Sequence, residues 1–314
     1  MQSFTLMSLL IPIPRKQTYQ TFFNVNSESE TQGVYQWHQD LAAEAFLILC
    51  DFEVIFRSKI HKAMASLNCY PNQDDWIVDS RQQQNLVKTL QRDMLSAKQA
   101  GRDFYPDARN YNLHSSFQLS KKDRQNFINL ICEYIEKGKT SFTHDDLVAS
   151  VSFGFWVSLL KRLEWLKKGS LINPYLKEIF PHSTKGFDSN HLKSILDTLN
   201  RIKSFRNRIG HHDSIMRIPE PVVGHADFYP RTVNQMINSL KILLLSLLDL
   251  VGDIDPQCSL AIEQSKNWKS FFLLLKIESF QVYKGNNGSL ESYIICYLND
   301  CFRGGSGNLN NTYK

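Results

Sequence analysis

Apolar residues in this chain recur at intervals of three and four, the spacing that gathers them on one face of an α-helix. From Asp40 onward, Leu41, Ala45, Leu49, Phe52, Phe56, Ile60 and Met64 keep that period up to the Pro71-Asn72 turn signal. A more polar helix is predicted over Arg81–Ala100, with Leu86, Val87, Leu90, Met94 and Leu95 spaced alike. Residues 101–120 read as a polar loop, and Phe127, Leu130, Ile131 and Ile135 predict the next helix. Thr143 and Asp146 form a capping-box pattern, in which each side chain satisfies the other's backbone N–H. That box opens a strongly apolar helix with Val148, Val151, Phe155, Leu159, Leu163 and Leu166 on its buried face and Gly169 at its end.

An irregular stretch containing Pro174 and Pro181 follows, then a helix from Asp188 or Ser189. Its stripe is Leu192, Ile195, Leu196, Leu199, Ile202 and Phe205. A further long helix is predicted from about Arg231 to Val251, stopped by Gly252. No strand pattern competes, so the expected fold is all-α. The first residues, with Pro12, Pro14 and a polar stretch from Asn24 to Gly33, read as irregular. Beyond 252, Trp268–Ile277 is apolar enough to pack as helix or strand, and the glycine- and asparagine-rich end from Arg303 reads as frayed. The expected division is an irregular segment at 1–35, a helical domain at 36–252 and a C-terminal extension with a disordered tail at 253–314.

Composition narrows the classes. A chain of 314 residues can bury a full core without disulfide or metal staples. Its 20 Phe, 12 Tyr and 5 Trp exclude global disorder. The longest apolar run, Ile242–Leu250, is interrupted by Ser246 and Asp249 and falls short of the ~18 residues a membrane span requires. No membrane association is expected, and the start of the chain lacks the basic and small-residue features of an export signal. Cys50, Cys69, Cys132, Cys258, Cys296 and Cys301 include no C-x-x-C pair and read as reduced, mostly buried thiols of a cytoplasmic protein. No metal or cofactor is expected. The net charge of +5 is compatible with nucleic acid but too small to argue for it alone.

The chemistry-bearing stretch is Arg206-Asn207-Arg208-Ile209-Gly210-His211-His212-Asp213, at the end of an amphipathic helix. Asn207 and His211 are four apart and share a face, and Gly210 is a place for the helix to end. Two imidazoles would then sit beside two guanidinium groups. Arginine holds phosphate oxygens and stabilises added negative charge, and histidine exchanges protons near neutral pH. The same residue types also serve as helix caps and surface hydrogen-bonders, and spacing alone does not separate the two readings.

RNRIGHHDSI resembles the R-N-x-x-x-H-H segment of the Abi-like (abortive infection) proteins, of the AbiD/AbiF type, in the HEPN superfamily with its R-x(4–6)-H motif. VSFGFWVSLL from Val151 resembles the family's F-G-F-W block, and LCDFEVIFRSKIHKAM from Leu49 its early helix. The resemblance covers roughly residues 35 to 252. It implies a HEPN-type helical bundle and a metal-independent endoribonuclease of phage defence, with Arg206, Asn207, His211 and His212 as catalytic residues. Arg208, Asp213 and the pair Glu53 and Arg57 are expected to support them. Arg57-x-x-x-His61 is one residue shorter than the motif spacing and is not expected to be a second copy. The implied partners are an RNA substrate, a second copy of the chain in a two-fold dimer, and a small noncoding RNA as regulator. The alternative is a HEPN scaffold that binds RNA or protein and senses infection without cleaving.

Overall fold

The apolar stripes fold as their period dictates. In a computed structural model, which describes residues 12–68, 76–78, 80–111, 113, 119–164, 172–211, 214–220 and 227–286, the chain is all-α. The helices among the described residues are α1 (Ile13–Phe23), α2 (Glu28–Asn68), α3 (Ser80–Gln99), α4 (Lys121–Glu136), α5 (His144–Ser150) and α6 (Phe153–Lys161). They continue with α7 (Ile172–Ile179), α8 (Ser189–Gly210), α9 (Val233–Ile254), α10 (Pro256–Gln264), α11 (Lys266–Leu274) and α12 (Ile277–Asn286). An isolated antiparallel bridge joins Glu220 and Phe228. No helix among the described residues is long and apolar enough to cross a membrane.

Three local departures from the expected pattern have physical causes. The segment expected to be irregular forms α1, because Pro14 sits in the first turn, where a missing N–H costs nothing. α2 likewise starts at Glu28 rather than near Asp40, and Glu30 accepts from Ser27 N–H at its first turn. The apolar helix opened by Thr143 does form its capping box, with Thr143 N–H donating to Asp146 at 2.7 Å. It nevertheless breaks at Val151, whose backbone is extended, and restarts at Phe153. The Ser150 hydroxyl donates back to Leu147 O at 2.7 Å, which competes with helix continuation. α6 buries Phe153, Phe155, Trp156, Val157, Leu159 and Leu160, too wide an apolar surface for one stripe. The F-G-F-W block is thus core.

α7 tolerates Pro174 because the proline lies within the first turn. α9 runs through Gly252 to Ile254, and the Trp268 segment is helical as α11. Leu166, Gly169, Cys69, Cys296, Cys301 and the end from Arg303 lie outside the described residues. Of the remaining cysteines, Cys132 is buried, which pushes its thiol up to about 11, whereas Cys50 is exposed.

Two compact units result. The first comprises 1–52, 201–249 and 257–314; the second comprises 53–200 and 250–256. In the first unit the tail helices pack on the N-terminal helices. Trp37 Nε1 donates to Leu274 O at 2.9 Å, and Tyr283 Oη donates to Asp40 Oδ2 at 2.6 Å. Phe23, Trp37 and Phe280 form one aromatic cluster. Gly33 permits this packing: a Cβ there would lie 1.9 Å from the Tyr283 carbonyl oxygen, so any side chain forces the backbones apart.

The core of the second unit contains Phe56, Trp76, Phe127, Trp156, Tyr175 and Phe180. Arg162 is paired with the buried Asp123, which also accepts from the Ser120 hydroxyl at 2.6 Å.

Candidate functional site

The sequence-predicted motif lies at the C-terminal end of α8, in the first unit. Asp188 caps the other end of that helix, its Oδ1 accepting from His191 N–H at 2.9 Å. The stripe from Leu192 to Phe205 is buried, so the helix is pinned along its length while its last turn emerges. Arg206 and Arg208 are half-buried; Asn207, Gly210 and His211 are exposed. His211 N–H donates to Asn207 O at 3.0 Å, which carries the helical turn through the histidine. This backbone bond and the four-residue spacing place Asn207 and His211 on one exposed face. His212 and Asp213 lie outside the described residues.

Beyond them the chain is strapped back on the same unit by three side chains. Arg208 Nη1 donates to Ser214 O at 2.9 Å. Arg208 thus fixes the segment after the motif. His38 on α2 is 1% exposed; its Nε2 accepts from Ile215 N–H at 3.0 Å, and Tyr19 Oη lies 2.9 Å from its Nδ1. An Nε2 that accepts leaves the proton on Nδ1, which donates to the tyrosine, so the ring is neutral and both nitrogens are used. Arg201 Nε donates to Pro219 O at 3.0 Å. Burial pulls the Arg201 pKa down, and Glu220 opposes that shift. Ile215, Met216 and Ile218 are buried beneath these straps.

Sequence reasoning missed His38 and Arg201 as supports of the motif. His38 is separated from Ile215 by 177 positions, and no local spacing signals such a contact.

Glu53 and Arg57 lie in the second unit. Arg57 Nη2 pairs with Glu53 Oε1 at 2.8 Å, and Arg57 Nη1 donates to Ala149 O at 3.3 Å. The pair is partly buried rather than exposed, and it ties α2 to the end of α5.

The second unit also holds a group that spacing did not reveal. Ligand atoms of His61, His144 and Asp145 lie within 4.8 Å of one another. The two imidazoles stack at 5.3 Å. Trp76 Nε1 donates to His61 Nδ1 at 3.0 Å, and Ile77 N–H donates to His144 Nε2 at 3.2 Å. In a neutral imidazole the nitrogen that accepts is the one with the lone pair, and the other carries hydrogen. A metal ion would therefore have to displace Trp76 or the Ile77 amide. The stack fits a hydrogen-bonded brace better than a cation site.

The model of the family described as Abi-like protein matches residues 4–217. The match takes in the N-terminal residues expected to be irregular and ends before α9, whereas the motif resemblance spans roughly 35 to 252. Neither a curated protein nor a solved structure matches the chain.

Proposed function

The chain belongs to the Abi-like protein family, and from that membership and the exposed end of α8 we propose that it is a metal-independent HEPN endoribonuclease of abortive-infection defence. The family suggests the defence role; the chemistry rests on the residues. The single observation that carries it is the presentation of Arg206, Asn207 and His211 on the last turn of α8, with the chain beyond them strapped in place.

The ribose 2′-oxygen attacks the adjacent phosphorus, and its proton passes to an imidazole. The phosphorane that forms carries extra negative charge, which Arg206 stabilises. The bond from phosphorus to the 5′-oxygen then breaks, and that oxygen takes a proton. The products are a 2′,3′-cyclic phosphate and a 5′-hydroxyl. Asn207 orients a ring or a phosphate oxygen, His212 assists, and Arg208 and Asp213 support the turn. DNA lacks the attacking group and is inert. Each step uses protons and fixed charge alone, so a metal has no role.

Base and acid together call for two imidazoles, and a two-fold dimer supplies one His211 from each copy. The family resemblance admits a small noncoding RNA as a regulator, and the cytoplasm is where the protein would act.

The test is incubation of the purified chain with RNA and identification of the ends produced. Cyclic phosphate and 5′-hydroxyl ends, lost in His211→Ala, are the expected result. RNA that is bound but never cut would replace this reading with the non-catalytic binding module.

A further inference from the structure

We propose that the cleft beside Gly210 holds a nucleobase of the bound RNA, stacked on Phe46. The proposal rests on the reading of the end of α8 as an RNA-cleaving site and names what that site grips. The cleft, of about 340 Å³, lies wholly within the first unit. That volume falls at the small end of ligand pockets, which run about 300–1,000 Å³, and suits a single nucleotide better than a larger ligand.

Its walls come from two helices. α2 contributes Gln39, Ala42, Ala43 and Phe46; α8 contributes Ile209 and Gly210. The alanines and Ile209 make low apolar walls, and Phe46, which also lines the cleft, is 39% exposed. Every nucleobase presents a π-face to such a ring. The Gln39 amide carries a donor and an acceptor, which can pair with a base edge.

Gly210 is the informative residue. A Cβ there would meet nothing within 4 Å, and the positive-φ glycines among the described residues are Gly101 and Gly138. Neither packing nor backbone conformation demands a glycine at 210. What its missing side chain does is keep the mouth of the cleft open.

Charge selects the ligand class. Between 201 and 217 the chain carries Arg201, Lys203, Arg206, Arg208 and Arg217 against the single carboxylate of Asp213. Such a run favours a polyanion over a neutral apolar partner. Arg206 lies one turn before Gly210 on the same helical face, so a base in the cleft brings its own phosphate towards that guanidinium.

The experiment uses the full chain and a fluorescent RNA oligonucleotide with 2′-O-methyl riboses, which cannot be cut. Phe46→Ala should weaken its binding about five- to a hundredfold, the range for loss of one aromatic stacking partner. Phe46→Tyr should restore it, and Gly210→Leu should weaken it by filling the cleft. Removing the base at successive nucleotides should reveal one position whose loss weakens wild-type binding but not Phe46→Ala binding. Circular dichroism and thermal melting confirm that the variants are folded.

Equal affinities for wild type and folded Phe46→Ala would overturn the subsite, and cleavage of unmodified RNA by both would leave the nuclease reading standing. Base-dependent binding without cleavage would do the reverse. A wild-type chain that neither binds nor cleaves RNA overturns both. If Phe46→Ala changes sedimentation but not RNA affinity, the occupant is a second copy of the chain and the proposal fails.

Discussion

Two segments of this chain pair an arginine with a histidine along a helix: Arg57-x-x-x-His61 on α2 and Arg206-x-x-x-x-His211 at the end of α8. In the first, both side chains are committed to the fold. Arg57 binds Glu53 and the Ala149 carbonyl, while His61 accepts from Trp76 and stacks on His144. In the second, the imidazole is exposed on the last turn, and side chains of the surrounding unit hold the backbone that follows it. The residue types are alike. Their surroundings decide that one braces a core and that the other ends in an imidazole exposed on the last turn of its helix.

The largest effect should come from removing the exposed imidazole. His211→Ala should lower RNA cleavage by about 10²–10⁴, the usual share of a general acid or base. Its melting temperature should stay close to wild type, because an exposed side chain of this kind contributes within about 0.5 kcal/mol. Undiminished cleavage by the folded variant would erase the distinction between the two segments.

His61→Ala should behave in the opposite way. Leaving the Trp76 indole N–H without its acceptor costs roughly 1–3 kcal/mol of folding free energy. Denaturant melts should show that loss, while cleavage per folded molecule stays at the wild-type rate. A folded His61→Ala protein that no longer cleaves would assign chemistry to the first segment as well.

Mixing His211→Ala chains with wild type measures how many imidazoles one site needs. In an equal, fully exchanged mixture, about one quarter of two-fold dimers carry two intact motifs. A shared site retains about that quarter of the activity, whereas independent sites retain about half. Co-purification of differently tagged chains establishes that exchange has taken place.

The smallest effect should be that of chelation. Cleavage should survive excess EDTA, because the proposed mechanism uses proton transfer and arginine rather than a metal ion. Activity lost with EDTA and restored by magnesium would move attention from Arg206 and His211 to carboxylate or histidine groups such as His61, His144 and Asp145.

These contrasts also show what the sequence made legible. Long stripes such as Leu41–Met64 and Leu192–Phe205 are buried as their period requires, because a helix keeps one face inward over many turns. Punctuation was harder to read. Pro14 begins a helix instead of preventing one, and Val151 and Ser152 break a stripe whose period continues. Arg206, Asn207 and His211 were visible because their relation is local. His38 and Arg201 were not, since their partners at Ile215 and Pro219 come from chain closure rather than from spacing. The His61–His144 stack was hidden for the same reason.

The contact of Gly33 with Tyr283, and that of Trp37 with Leu274, set a clock as well as a core. Trp37 and Leu274 are 237 positions apart, and synthesis at about 5–20 residues per second separates their emergence by roughly 12–47 s. Throughout that interval the aromatic surface of α1 and α2 lacks its covering helices. The unit that carries Arg206 and His211 therefore closes only after α11 and α12 have been made, long after the motif itself has emerged.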